Sequence, residues 1–309
     1  MERGVHCFEI AAAEAERLGG ETMPLDVRPG ATGRFGMTRR FPVGPIAAIS
    51  PFNFPLNLAI HKVAPAIAVG CPVVLKPAPQ TPISCLRLAE AVDATAWPKG
   101  AFSVVPAPPA VANALVTDER LKLLTFTGSP GVGWALKQRA GKKKVVLELG
   151  GNSAVIVDEE ADLAYAIPRI VYGAFSYAGQ KCISVQRIYV HERIYDAFVE
   201  RLLEATRKVK VGDPRDPEVL VGPLIDEASA RRVETWIGEA RDQGATLLCG
   251  GERRGNIVSP TVLAEVPRGA RVSCAEVFGP VVTVDRYTDF GQALSAVNDS
   301  PFGLQAGVF

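Results

Sequence analysis

A thiol and a carboxylate thirty-four positions apart, Cys182 and Glu148, are the residues of this chain best suited to covalent chemistry. Cys182 lies in a Gly-Gln-Lys-Cys turn ahead of a β-rich run, and Glu148 precedes the paired glycines Gly150 and Gly151. A thiolate forms acyl intermediates and a buried acid activates the water that releases them, so the pair suits chemistry through a thioester. The spacing alone is weak evidence. A single cysteine is more often core than nucleophile, and a strand-end carboxylate is ordinarily solvated or salt-bridged.

Other turns carry polar groups at comparable places. In Pro51-Phe52-Asn53-Phe54-Pro55 the prolines fix the backbone around Asn53, which is either an amide donor to an oxyanion or the cap of the following helix. Lys76 ends the apolar run Val73–Lys76, where it either faces a ligand crevice, binding hydroxyls or phosphate, or points to solvent. The run Phe126-Thr127-Gly128-Ser129-Pro130-Gly131-Val132-Gly133 passes from strand to helix. Free amides and the Ser129 hydroxyl there would receive a pyrophosphate, although the glycines are not spaced as GxGxxG. Glu276-Val277-Phe278-Gly279-Pro280 completes the set.

These turns need a scaffold. Apolar runs at 45–50, 73–76, 102–105, 123–126 and 145–147 alternate with helical patterns at 56–69, 82–94, 110–116 and 131–140. Such alternation predicts a mostly parallel sheet covered on both faces, with ligands beyond the carboxyl ends of its strands. A second unit begins near Gly150. It has strands near 154–157, 187–191, 245–248, 261–266 and 281–287, and helices at 163–177, 194–209, 227–243 and 290–298. Residues 2–19 read as a helix. Residues 21–42 read as a projecting hairpin whose Arg34, Arg39 and Arg40 guard an exposed edge or form a binding patch.

The 309 residues are 48% hydrophobic and 22% charged with a net charge of +1, enough for a substantial core and without bulk attraction to nucleic acid or anionic membrane. No apolar run reaches spanning length. Six scattered cysteines and no leader-like N-terminus lead to the expectation of a reduced, cytoplasmic setting. The three histidines and six cysteines show no ligand spacing, so no metal is expected. Arg187, Lys181 and Arg169 either favour an anionic substrate or are surface and strand-end charges.

In order and spacing, PFNFPLN, VLKPAPQTP, FTGSPGVG, ELGGN, GQKC and EVFGP resemble the aldehyde dehydrogenase superfamily over nearly the whole chain. The resemblance implies an α/β fold with a Rossmann-like parallel-sheet cofactor domain (1–20 and 43–150), an α/β catalytic domain (151–309) and an oligomerisation hairpin (21–42). It implies NAD(P)-dependent oxidation of a small-molecule aldehyde to an acid, in a homo-oligomer, with a cysteine-dependent esterase or an inactive fragment as alternatives. Cys182 would be the nucleophile, Asn53 the oxyanion donor and Glu148 the base, with Gly150 and Gly151 giving the Glu148 backbone room to move. Lys76 would meet the adenosine ribose, Gly128, Ser129 and Gly133 the pyrophosphate, and Glu276 the nicotinamide ribose. Phe278, Phe52 and Pro51 would lie beside the cofactor. Members of the superfamily are longer at both ends, which leads to the expectation of two incomplete domains with reduced stability or altered association.

Many NAD-preferring members carry Glu where this chain has Pro79. A carboxylate there binds ribose hydroxyls and repels a 2′-phosphate, so its loss admits NADP. Both NAD and NADP are expected to support turnover, and strict NAD selectivity in kcat/KM would count against this role of position 79.

Overall fold

Short runs rich in Val, Ile and Leu become the strands of two largely parallel sheets, one in each of the units Met1–Leu149 and Gly150–Phe309 into which the chain divides. The computed structural model describes residues 2–309.

The first unit holds, in chain order, α1 (Glu2–Arg17), β1 (Thr22–Pro24), β2 (Phe35–Met37), β3 (Ile46–Ile49), α2 (Pro55–Ala68) and β4 (Val73–Lys76). It continues with α3 (Ile83–Asp93), β5 (Phe102–Val104), α4 (Pro109–Thr117), β6 (Leu123–Thr127), α5 (Pro130–Arg139) and β7 (Lys144–Glu148). Its main sheet is wholly parallel in the order β5-β4-β3-β6-β7. The central strand β3 is buried at every position, and side-chain alternation sends Ile46 and Ala48 to one apolar cluster and Ala47 and Ile49 to another. The chain runs outward from β3 to β4 and β5 on one side, then crosses to β6 and β7 on the other. That reversal leaves a crevice outside the carboxyl ends of β3 and β6. Helix α1 packs on α2 at Gly4, where a β-carbon would stand 2.6 Å from Ile60 Cδ1.

Strands β1 and β2 form an antiparallel hairpin apart from that sheet. Val27, Phe35, Met37 and Phe41 in this region are each at least 71% exposed, so the hairpin presents apolar side chains to solvent.

The second unit holds β8 (Ser153–Val157), α6 (Leu163–Phe175), β9 (Val185–His191), α7 (Tyr195–Arg207), α8 (Glu227–Asp242), β10 (Thr246–Cys249) and the ribbon β11 (Arg253–Arg254) and β12 (Ile257–Val258). Then come β13 (Thr261–Ala264), α9 (Arg271–Cys274), β14 (Val281–Tyr287), α10 (Phe290–Asn298) and β15 (Ala306–Val308). Its sheet has the order β10-β13-β14-β9-β8-β15, parallel except for β10. Phe175, Ile188, Phe198, Leu202 and Leu263 belong to its largest apolar cluster.

Several element ends depart from expectation for one physical reason. Helix α6 stops at Phe175 rather than Tyr177, because Tyr177 and Ala178 adopt left-handed backbone with φ of 60° and 54° inside a 3-10 turn, Ser176–Gly179. Strand β13 stops at Ala264, where Glu265 has φ of 55°. The short elements β11, β12, α9 and β15 were not anticipated; β15 is an edge strand of three residues alongside β8. Arg187, expected as an anion-binding or surface charge, is buried in β9. Its guanidinium donates to the carbonyls of Ala296 (2.9 Å), Val297 (3.0 Å) and Asn152 (3.1 Å), tying the end of α10 to the sheet.

Candidate active site

All candidate residues of the first unit lie at the carboxyl edge of its parallel sheet. Asn53 follows β3, Lys76 ends β4, Gly128 and Ser129 follow β6, and Glu148 ends β7. Ladder bonds fix this alignment. The Ser50 N–H donates to the Lys76 carbonyl at 3.1 Å and the Gly128 N–H to the Glu148 carbonyl at 3.0 Å.

Asn53 is buried, and helix α2 starts at Pro55 with Phe54 in the cap position, so Asn53 is not the helix cap. Lys76 is buried too, which removes the reading as a solvated strand end. Its ammonium donates to the Pro77 carbonyl at 3.0 Å, pairs with no carboxylate among the described residues, and is lowered from its usual value by burial. Pro130 occupies the first turn of α5. Ser129 sits at its cap, its carbonyl accepting from the Gly133 N–H while its side chain makes no bond to the helix amides, which leaves the hydroxyl and the first N–H groups to serve an anion. Two glycines here answer to packing. A β-carbon on Gly128 would lie 2.5 Å from Phe126 Cζ, and one on Gly133 would lie 2.4 Å from Leu149 Cδ2.

Glu148 corrects the expectation of a buried acid. It is exposed, because β7 is the edge strand and turns Lys144, Val146 and Glu148 outward. A buried charge does lie nearby, at a position that sequence reading passed over. Lys62, on α2, donates to Thr127 Oγ1 (2.7 Å) and Thr125 Oγ1 (3.2 Å). Burial pushes its ammonium down to about 8, and the Glu148 carboxylate opposes that fall. A lysine in an apolar helical stretch was the available signal.

In the second unit, Cys182 is half-buried in the loop between the 3-10 turn and β9. Gln180 anchors that loop. Its Oε1 accepts from the Ile225 N–H (2.9 Å), and its Nε2 donates to the Pro223 (3.4 Å) and Tyr177 (3.3 Å) carbonyls. Gly179, at φ 68°, passes so close to the next segment that a β-carbon would sit 2.1 Å from the Gly279 carbonyl oxygen. The paired glycines join the two loops. A β-carbon on Gly151 would lie 1.9 Å from the Cys182 carbonyl oxygen, and one on Gly150 would lie 2.4 Å from Glu276 Oε2. The Gly151 N–H donates to Glu276 Oε1 at 3.0 Å. Close approach therefore requires these glycines.

Burial raises the Glu276 carboxyl above its usual range, opposed by that N–H and by the Arg232 guanidinium. Arg232 also donates to the Val277 carbonyl at 2.8 Å and lies over the Trp236 ring. Asn152 and Gln186 hold the same loop through the carbonyls of Val272, Ser273 and Ala275. Phe278 follows with a left-handed φ of 48°. Cys182, Glu276 and Phe278 thus share one braced assembly.

The sequence model of the aldehyde dehydrogenase family matches residues 1–309. The chain belongs to that family. It is 46% identical to the 3-sulfolactaldehyde dehydrogenase of Priestia aryabhattai, aligning over all of this chain and 65% of that protein. The crystal structure of aldehyde dehydrogenase 21 from Physcomitrella patens, in complex with its reaction product succinate, superposes with a TM-score of 0.98 at 48% identity. It covers 100% of this chain and 64% of that one. A glyceraldehyde-3-phosphate dehydrogenase from Methanocaldococcus jannaschii complexed with NADP gives 0.93 at 37% identity, over 100% of this chain and 67% of that one. The chain thus spans about 65% of the length of such aldehyde dehydrogenases. Among the described residues no helix is long and apolar enough to cross a membrane, and no group of three or more His, Cys, Asp or Glu is placed to hold a metal ion.

Lys62 generates a pH prediction. With its folded value near 8 and its usual value at 10.5, the unfolded chain binds more protons at this position throughout that window. Stability contributed here therefore rises with pH across it. The unfolding free energy of wild type relative to Lys62→Met should grow in favour of wild type from pH 8 to 10.5. A flat difference would mean that the ammonium is solvated.

Proposed function

We propose that this chain carries the catalytic and cofactor-binding residues for NAD(P)-dependent oxidation of an aldehyde to a carboxylic acid. The observation that carries the reading is the locking of the Cys182 loop to the Glu276 loop through Gly151, whose α-carbon abuts the Cys182 carbonyl and whose N–H donates to the half-buried Glu276 carboxylate. The first unit supplies Lys76 for the adenosine ribose, the α5 start with Gly128, Ser129 and Gly133 for the pyrophosphate, and Pro51 and Phe52 alongside. Glu276 would hold the nicotinamide ribose and Phe278 would pack near the ring. The buried, carboxylate-free Lys76 and the uncapped amides of α5 fit a dinucleotide. When bound, NAD(P) accepts a hydride.

The chain's own groups perform the remaining steps. The Cys182 thiolate adds to the aldehyde carbon, and the resulting oxyanion accepts hydrogen bonds from the Asn53 side-chain amide and the Cys182 backbone N–H. Loss of hydride from that carbon re-forms the C=O bond as a thioester. Glu148 removes a proton from water, the hydroxyl adds to the thioester, and the C–S bond breaks to give acid and free thiolate. An exposed carboxylate is in contact with the water it must activate.

The relatives' names suggest the substrate class. Sulfolactaldehyde, glyceraldehyde 3-phosphate and the product succinate each carry an anionic group besides the reacting carbon. We take the substrate to be a short aldehyde with such a group. The exposed apolar hairpin β1–β2 is proposed as the arm through which copies of the chain pair.

Cys182→Ala should abolish aldehyde oxidation and p-nitrophenyl acetate cleavage alike. Glu148→Gln should retain a burst of reduced cofactor of about one per chain, followed by a steady rate lowered on the order of 10²–10⁴-fold, with an acylated Cys182 peptide visible by mass spectrometry. An unaltered steady rate would remove Glu148 as the base. Ester cleavage without any aldehyde oxidation would favour a hydrolase. For the hairpin, Phe35→Asp combined with Met37→Asp should lower the sedimenting mass; an unchanged mass would rule out pairing through this face.

A further inference from the structure

The two faces of the first unit's sheet are covered unequally. On one face α4 and α5 pack over β6 and β7 through Val116, Leu136 and Ala140. On the other, the apolar cluster beneath α2 takes in β3, β4 and β5 and no residue of β7. Register places Leu123 and Thr125 of β6 beside Lys144 and Val146 of β7 on this face, and Val146 stays 50% exposed. Parallel sheets are ordinarily covered on both sides. Here a trough of about 780 Å³ stands in place of that cover, with Leu18, Phe41, Val43, Ile46, Leu123 and Val146 among its walls.

The charges that line the trough have one sign. Arg40, His61, Lys62 and Lys144 line it, and no Asp or Glu does. Among the described residues none of the four takes part in an ion pair. Lys62 is the deep one, only 6% exposed, and its ammonium donates to Thr127 Oγ1 (2.7 Å) and Thr125 Oγ1 (3.2 Å). An ammonium has three donors, so one N–H remains for a further acceptor. His61 is lowered from its usual value by burial first and then by the charges of Arg3 and Lys62, with Glu148 opposing. Positive charges here burden one another, and an incoming anion relieves them.

Apolar walls ask for a hydrocarbon body, and a single buried cation asks for one anionic head rather than the row of acids an amphipathic helix presents. The volume lies within the range of small-molecule sites, roughly 300–1,000 Å³. Arg40 and Lys144, both exposed, can lay their aliphatic stems along such a body and keep their charges in water. We propose that this trough binds a free long-chain monocarboxylate, with its head group on Lys62 and His61 and its tail along Ile46, Leu123 and Val146. None of the residues assigned above to the cofactor or to the chemistry lines it, so the site stands or falls apart from the dehydrogenase reading.

The test titrates carboxyl-labelled dodecanoate, below its micellar concentration, into the full chain and follows binding by the carboxyl carbon NMR shift and by calorimetry. Saturable binding of one equivalent is expected. Octanoate should bind on the order of a hundred-fold more weakly, since four fewer methylenes are buried. Dodecan-1-ol and dodecyltrimethylammonium should each bind at least about ten-fold more weakly than dodecanoate, for want of a charge-assisted hydrogen bond. Lys62→Met should weaken dodecanoate about ten-fold and leave dodecan-1-ol unchanged. Val146→Asp, an exchange on the exposed edge strand, should weaken dodecanoate by a similar factor while Val146→Leu does not, which keeps the test decisive if Lys62→Met fails to fold. Absence of saturable binding, equal affinity for dodecanoate and dodecyltrimethylammonium, or an affinity indifferent to both Lys62→Met and Val146→Asp overturns the proposal. Binding of a synthetic helical peptide of Leu and Glu without any binding of dodecanoate also overturns it, in favour of a peptide groove.

Discussion

Gly151 has no space for a side chain, and the architecture of the second unit around the thiol follows from that fact. One face of its α-carbon meets the Cys182 carbonyl and its N–H meets the Glu276 carboxylate, so one residue fixes the spacing of two loops that carry different chemistry. Gly150 and Gly179 repeat the device against Glu276 and Gly279. Where backbones pass this closely, side chains cannot adjust the fit and hydrogen bonds must hold it. Gln180, Gln186, Asn152 and Arg232 do so, all through main-chain partners. Tyr177, Ala178 and Phe278 keep left-handed conformations that cost about 1–3 kcal/mol each because this bracing over-determines them.

The first unit reaches its order by another route. Parallel strands deliver their terminal residues to one edge, and every polar candidate there follows or ends a strand. The chemistry of the edge is then decided by burial. Lys62 and Lys76 are both charged groups with limited access to water, yet they differ in company. Lys62 is held by two threonine hydroxyls and feels the Glu148 carboxylate, whereas Lys76 has one carbonyl and, among the described residues, no counter-charge. Opposed charge offsets part of the cost of burying the Lys62 ammonium, an offset that no described carboxylate supplies to Lys76.

Much of this was legible in the sequence, where the reading rested on local pattern. Periodicity of two against three to four residues located the strands and helices that frame the edge, and turn composition located the loops. What escaped depends on long-range placement. The exposure of Glu148 follows from β7 lying at the end of the strand order, and an apolar run such as Val145–Leu147 does not state whether it is central or peripheral. The early end of α6 comes from Tyr177 and Ala178, residue types that give no warning of positive φ. Lys62 has partners sixty-three and sixty-five positions away. The glycine pair was visible, but its spacing suggested freedom where the folded chain has close contact.

Arg187 illustrates a constraint of a different kind. Its planar fork serves carbonyls from two separate segments, one of them the last turn of α10, and so ties that helix end to β9. A lysine would preserve the charge and lose the geometry, since a single ammonium on a flexible stem cannot span acceptors that far apart in direction. The position is therefore intolerant of the exchange that is mildest elsewhere on a protein surface. Sequence drift at this point of the family would be expected to move the helix end and the arginine together.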